Sequence, residues 1–135
     1  MEDVELKKIR EKKIRDLKMK IFAEPGEKSK NGIIELNSNN FNQVINENEW
    51  VIVDCWAEWC MPCKMMGPVF DKLSKEYENK VKFAKLNTDQ NHQIAIQYDI
   101  AAIPSFLLFY KGRLAQKVVG AVGEPGLRNL LQIVK

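Results

Sequence analysis

The spacing of apolar residues changes several times along the chain, and each change marks an element. Residues 3–22 are densely charged yet carry Leu6, Ile9, Ile14, Leu17 and Ile21. At about 100° per residue these five fall within a sector of about 140°, which predicts an amphipathic helix. Val4, Met19 and Phe22 lie off that stripe. Pro25-Gly26 breaks the pattern, and Glu24–Gly32 reads as a polar linker. From there strands and helices alternate. Ile33–Leu36 is a short strand. Ser38 is the expected N-cap of a helix whose apolar stripe is Phe41, Val44 and Ile45. Trp50–Trp56 alternates little, as expected of a central strand covered on both faces. A helix is predicted from Met61 to about Tyr77, with Met65, Met66, Val69, Phe70 and Leu73 apolar. Pro68 lies inside it, and a kink is expected near Lys64–Met65.

Val81–Leu86 alternates and predicts a third strand, followed by the polar turn Asn87–Asn91 and a short helix over Gln93–Tyr98. Pro104 stands directly before a strong strand, Ser105–Tyr110. Lys111-Gly112 predicts a hairpin turn into Arg113–Val119. Glu124-Pro125-Gly126-Leu127 opens a last helix with Leu127, Leu130, Leu131 and Val134 as its stripe. The order is β-α-β-α-β-α-β-β-α after the N-terminal helix. That is an α/β chain with a mixed central sheet and helices on both faces. Residues 1–31 form a charged helical extension with its linker, and residues 32–135 form the domain.

Composition narrows the setting. A chain of 135 residues buries roughly two-thirds of its unfolded surface and needs no disulfide staples. Three cysteines, two of them in one C-x-x-C, do not make a disulfide framework. The start is acidic, and no apolar run of signal-peptide length follows it. No run reaches the about 18 apolar residues of a membrane span. A reducing, cytoplasmic setting is the expectation. The net charge of +3 lies in residues 1–22, where eight Lys/Arg face five Asp/Glu; the remainder holds thirteen of each. A whole-protein electrostatic function is not expected on that balance, and any basic function lies in the first 22 residues. The five acids of the extension argue against nucleic acid or an acidic membrane as its target. Its apolar stripe must be covered by its own domain, a second copy or a partner.

The chemistry gathers where the Trp50–Trp56 strand runs out. Cys60 and Cys63 stand in C-x-x-C spacing at the start of the next helix, a pattern that points to redox chemistry. The thiolate is the attacking species in disulfide exchange. A helix N-terminus carries about half a positive charge and unpaired N–H groups, both of which stabilise a thiolate. Cys60 is therefore the expected nucleophile. Cys63, one turn on, is the expected resolving cysteine and the more buried of the two. Pro62 holds the first turn and leaves no N–H unpaired. Asp54 sits inside an otherwise apolar strand. If it points inward without partners its pKa rises, and it can exchange a proton with Cys63. The alternatives are an Asp bonded to nearby backbone or one facing outward. Cys55 reads as a small buried hydrophobe. A structural zinc wants four ligands and His92 is the only histidine, so no metal is expected.

Trp59-Cys60-Met61-Pro62-Cys63-Lys64 resembles the active-site motif of the thioredoxin family, whose usual form is W-C-G-P-C-K. The resemblance continues through Val53-Asp54 and Trp56-Ala57-Glu58. It extends to Phe83-Ala84-Lys85-Leu86-Asn87 with Asp89, to Ile103-Pro104-Ser105 and to Gly120-Ala121. It covers about Gly32 to Lys135 and implies the thioredoxin fold. It also implies roles: Cys60 attacks, Cys63 resolves, Asp54 assists proton transfer, and Lys85 lies near Asp54 and modulates its charge. Pro104 would be cis. Trp59, Met61, Pro62, Ile103, Pro104, Gly120 and Ala121 would form the surface that meets protein substrates. The only redox group implied is the Cys60–Cys63 disulfide itself, with no separate cofactor. Two features depart from the pattern. Met61 replaces the usual glycine and leaves the reduction potential open, and the extension lies outside the family's minimal domain.

The function expected from all this is a protein-disulfide reductase, re-reduced by a thioredoxin reductase. The alternatives are a disulfide oxidase or isomerase on the same fold, or a redox-capable binding module docked through the N-terminal helix.

Overall fold

The computed structural model describes residues 32–134. The helix expected over residues 3–22 lies outside the described residues. The elements are β1 (Ile34–Leu36), α1 (Phe41–Glu47), β2 (Trp50–Trp56), α2 (Met61–Glu76) and β3 (Lys82–Asn87). They continue with α3 (His92–Gln97), β4 (Ser105–Tyr110), β5 (Arg113–Val119) and α4 (Gly123–Leu130), which ends in a 3₁₀ turn, Leu131–Ile133. The described strands form one five-stranded sheet in the order β1-β3-β2-β4-β5. The β1–β3 and β2–β3 pairs are parallel, and the β2–β4 and β4–β5 pairs are antiparallel.

β2 is central because both of its faces are apolar. Trp50 and Ile52 point to one side, where they join Met66, Phe70 and Leu73 of α2, Phe83, Phe106, and Leu127, Leu130 and Leu131 of the C-terminal segment. Val51, Val53 and Cys55 point to the other, with Phe41, Val44 and Ile45 of α1, Ile94 of α3, Leu107 and Phe109. The period of two along β2 thus feeds two cores. Phe70 is fully buried between Phe83 and Phe106, at ring-centre distances of 4.9 and 6.0 Å. Burying such a ring contributes roughly 1.5–3 kcal/mol, which fixes α2 and hence the C-x-x-C against the sheet. α4 is tied to α2 on the surface as well. Arg128 reaches Glu76 at 2.6 Å and Glu124 at 2.8 Å, and Lys72 reaches Glu124 at 3.1 Å.

One local expectation is overturned. Ser38 does not cap α1; the N-cap is Asn40, and it makes no side-chain capping bond. The turn before the helix is closed by two asparagines instead. Asn37 N–H donates to Asn40 Oδ1 at 2.7 Å, and Asn37 Oδ1 accepts from Asn39 N–H at 2.8 Å and Asn40 N–H at 3.1 Å. The buried Asn40 amide also donates to the Glu35 carbonyl at 3.0 Å, tying the helix start to β1. The predicted hairpin turn is present, with φ of 51° at Lys111 and 85° at Gly112. Two consecutive positive φ angles match the twist of paired strands. A Cβ on Gly112 would collide with the Asn46 side chain.

Candidate functional site

The site forms where β2 leaves the sheet. After Trp56 the chain turns through Ala57–Trp59, and Cys60 N–H donates to the Ala57 carbonyl at 3.1 Å. Cys60 is extended (φ −93°, ψ 103°) and is the N-cap of α2. Its sulfur takes the position that a serine or aspartate oxygen holds in ordinary caps, accepting the Cys63 N–H at 3.2 Å. Pro62 occupies the first turn, where a missing N–H costs nothing. Cys60 and Cys63 are joined as a disulfide with their Cα atoms 5.3 Å apart. Cys63 is not the more buried of the two: Cys60 is 3% exposed and Cys63 4%. Cys60 sits in the same small apolar cluster as Cys63 and Ala57, against which Trp56 and Ile103 pack.

The rim comes from three further segments. Trp59 is exposed, and its indole N–H donates to Asp89 Oδ2 at 2.9 Å. The Ile103–Pro104 bond is cis. The Pro104 carbonyl accepts the Gly120 N–H at 2.8 Å, which brings the Gly120-Ala121 loop beside the proline. Gly120 has φ +107°, a conformation that side-chain-bearing residues avoid. Met61 is exposed on the first turn of α2. Among the charged neighbours, Lys64 and Glu58 pair at 3.6 Å.

Asp54 lies beneath. It shares a face of β2 with Ile52, so the outward register is ruled out, and it is 2% exposed. Its Oδ1 has no hydrogen-bond partner among the described residues. Its neighbours across the ladder are Lys85 on β3 and Phe106 on β4. Burial pushes its pKa from 3.8 to about 7; the Lys85 ammonium pulls it down, and Asp71 on α2 adds a further push upward. Trp56 lies between the dithiol cluster and Lys85, the ladder neighbour of Asp54. It packs on the cysteine cluster, and Lys85 Nζ lies 6.0 Å from its ring centre. Its indole N–H is also buried with no partner among the described residues. Cys55 points to the opposite core, fully buried, with its thiol pushed up to about 12 chiefly by burial.

Of the sequence-predicted residues, Cys60, Cys63 and Ile103 share one apolar cluster, Pro104 and Gly120 are joined by a backbone bond, and Asp54 and Lys85 face each other across the β2–β3 ladder. Asp89 and Trp56 were not assigned roles from the sequence, although both stand within the motif runs. The signal available was the polar turn Asn87–Asn91, whose Asn87 Oδ1 accepts the Asp89 N–H at 2.9 Å and so sets the carboxylate. Asp89→Ala is expected to free the Trp59 ring, read as a lower order parameter of its indole N–H by NMR. Stability should change by no more than about 1 kcal/mol, because both groups are exposed. An unaltered order parameter would show that packing, not this bond, holds the ring.

A disulfide spanning one helical turn, with a backbone N–H on one of its sulfurs, can be opened and reclosed by thiols. It makes the chain a thiol–disulfide oxidoreductase. The thioredoxin family model matches residues 32–133. A thioredoxin of Buchnera aphidicola is 44% identical over 102 residues, covering 75% of this chain and 94% of that protein. Thioredoxin 1 of a Nostoc species is 41% identical over 99 residues, covering 73% of this chain and 92% of that protein. The oxidised form of mitochondrial thioredoxin 3 from Saccharomyces cerevisiae superposes with a TM-score of 0.69 at 35% identity. It covers 74% of this chain and 93% of that one. The chain belongs to the thioredoxin family. Among the described residues, no helix is long and apolar enough to cross a membrane.

Proposed function

We propose that this chain reduces disulfides in other proteins and is re-reduced by a thioredoxin reductase, in the cytoplasm. The observation that carries the reading is the Cys60–Cys63 disulfide at the head of α2, with Cys60 Sγ accepting the Cys63 N–H. Once reduced, Cys60 is favoured as the thiolate by that N–H and by the helix end. It attacks a substrate sulfur, forming a mixed disulfide and releasing one substrate thiolate. Cys63 then attacks Cys60 Sγ, releases the second substrate thiol and restores the disulfide. Two electrons pass to the substrate, and the reductase returns two. Cys63 must lose its proton to resolve. Asp54, with its pKa near 7, accepts and returns a proton at neutral pH, and Lys85 tunes it. Trp59, Met61, Pro62, Ile103, Pro104, Gly120 and Ala121 make the surface on which the substrate chain lies. The exposure of Trp59 and Met61 supports that reading, since apolar groups left open around a reactive sulfur favour contact with a polypeptide.

The direction of exchange is tested by the reduction potential of the full chain, measured together with turnover by a thioredoxin reductase. A reductase requires a potential near the about −270 mV typical of thioredoxins. A value at or above about −180 mV, in the range of disulfide isomerases, would instead make the chain a donor of disulfides. Met61 is the residue whose influence this measurement isolates, with Met61→Gly as its reference.

A further inference from the structure

Two sulfurs on the active face lie outside the dithiol. Met61 follows Cys60 directly, and Met65 stands one turn further along α2, so the two share a helix face at i, i+4 spacing. They are 66% and 71% exposed, whereas the adjacent Met66 is 3% exposed and belongs to the core with Phe70 and Leu73. Cys60 and Cys63 are buried and already joined to each other. An oxidant arriving at the disulfide form therefore meets thioethers first.

We propose that Met61 and Met65 form a peroxide-sensitive modification site, and that their conversion to sulfoxides turns down exchange with protein disulfides while the dithiol is sheltered. The inference rests on the reading above that Met61 lies on the substrate-facing surface. Hydrogen peroxide is the only co-reactant. The thioether sulfur attacks one peroxide oxygen; an S–O bond forms as the O–O bond breaks. The other oxygen leaves as water with both hydrogens. The sulfur gives up two electrons and the peroxide takes them. A flexible apolar side chain becomes a polar, chiral one. The large exposed apolar side chains over 58–68 are Trp59, Met61 and Met65. Two sulfoxides thus replace much of an apolar rim with strong acceptors that a substrate must desolvate. Glu58 and Lys64 do not compensate, being paired to each other. In the reduced form a thiolate outcompetes a thioether for peroxide and closes the disulfide first. The site therefore responds to oxidant that persists after the dithiol is spent.

The test treats the full, oxidised chain with hydrogen peroxide, removes the peroxide, and restores the dithiol with dithiothreitol, which does not reverse sulfoxides. Turnover of a protein disulfide is compared with the same sample untreated, and the peptides are mapped by mass. One added oxygen is expected on Met61 and on Met65 but not on Met66. Turnover should fall roughly fivefold, and treatment with methionine sulfoxide reductases should restore it. The double variant Met61→Leu, Met65→Leu should keep its own untreated rate within about twofold, because leucine has no sulfur to oxidise. The inference is overturned if the wild type carrying both sulfoxides turns over at its untreated rate, or if the leucine variant loses as much. An untreated chain that reduces no protein disulfide overturns the functional reading beneath it, so the two failures are distinguishable.

Discussion

Cys60→Ser is expected to lower turnover of a protein disulfide by roughly three orders of magnitude or more, because a hydroxyl at neutral pH is a poor nucleophile toward sulfur. Cys63→Ser is expected to fail differently. Cys60 still attacks, but the mixed disulfide has no neighbouring thiol to release it, so the adduct accumulates. The third cysteine offers no rescue. Cys55 lies on the opposite face of β2, fully buried, with its thiol pushed up to about 12. At pH 7 its thiolate is negligible, and no substrate sulfur can reach it. Non-reducing electrophoresis and intact mass then separate the roles: a trapped adduct in Cys63→Ser and none in Cys60→Ser. The reverse pattern would exchange the two assignments, and retained turnover in Cys60→Ser would remove Cys60 as nucleophile.

The dithiol stood out in the sequence because several physical signals coincide at one place. A β-branched run ends in C-x-x-C, and a helical stripe begins at once, so both the strand end and the helix start are set by hydrophobic period. The same periods located the strands and α-helices of the described residues, most ends being displaced by a residue or two; the last helix, whose stripe is expected to run to Val134, stops at Leu130 and continues only as a 3₁₀ turn. β3 begins at Lys82 rather than Val81, and α3 runs over His92–Gln97 rather than Gln93–Tyr98. Ends drift because they depend on individual hydrogen bonds rather than on a repeated pattern. The α1 cap shows the cost. Ser38 has the right chemistry for a cap, but an Asn37–Asn40 bracket bonded to Glu35 closes the turn two residues later. Three site features needed the third dimension. The cis bond at Pro104 has no signature in local composition and came from the family resemblance alone. The near-equal burial of Cys60 and Cys63 depends on how the chain folds around both sulfurs, which a linear spacing does not describe. The Trp59–Asp89 bond joins residues thirty positions apart. Asp54 lay between these cases. Its position inside an apolar strand raised the question, and only the register with Lys85 and the unpaired Oδ1 answered it.

That answer carries a large effect on stability. Asp54→Asn is expected to gain stability relative to the wild-type oxidised chain as pH rises from acid to above neutral. The folded chain holds the Asp54 carboxyl at about 7 against an ordinary 3.8, chiefly because burial disfavours its charged form. Below about pH 4 the group is protonated whether folded or unfolded, and no penalty exists. Between about pH 4 and pH 7 the unfolded chain releases a proton that the folded chain keeps. The folded state then binds more protons, so stability falls as pH rises. Above about pH 7 both states are ionised and the loss is complete, at about 4 kcal/mol for a gap of this size. Asparagine is nearly isosteric, stays neutral throughout, and escapes this term. Its amide must still be buried next to Lys85 and Phe106, which shifts its stability by an amount that does not depend on pH. The decisive quantity is therefore the change in the difference between variant and wild type. Urea unfolding at pH 4 and pH 8, with the disulfide intact in both proteins, should show the variant gaining by roughly 2–4 kcal/mol over that interval. Parallel pH profiles would mean that Asp54 is ionised in the folded chain well below neutrality. A carboxylate of that kind is too weak a base to take the Cys63 proton effectively, and the proposed proton route would have to begin elsewhere.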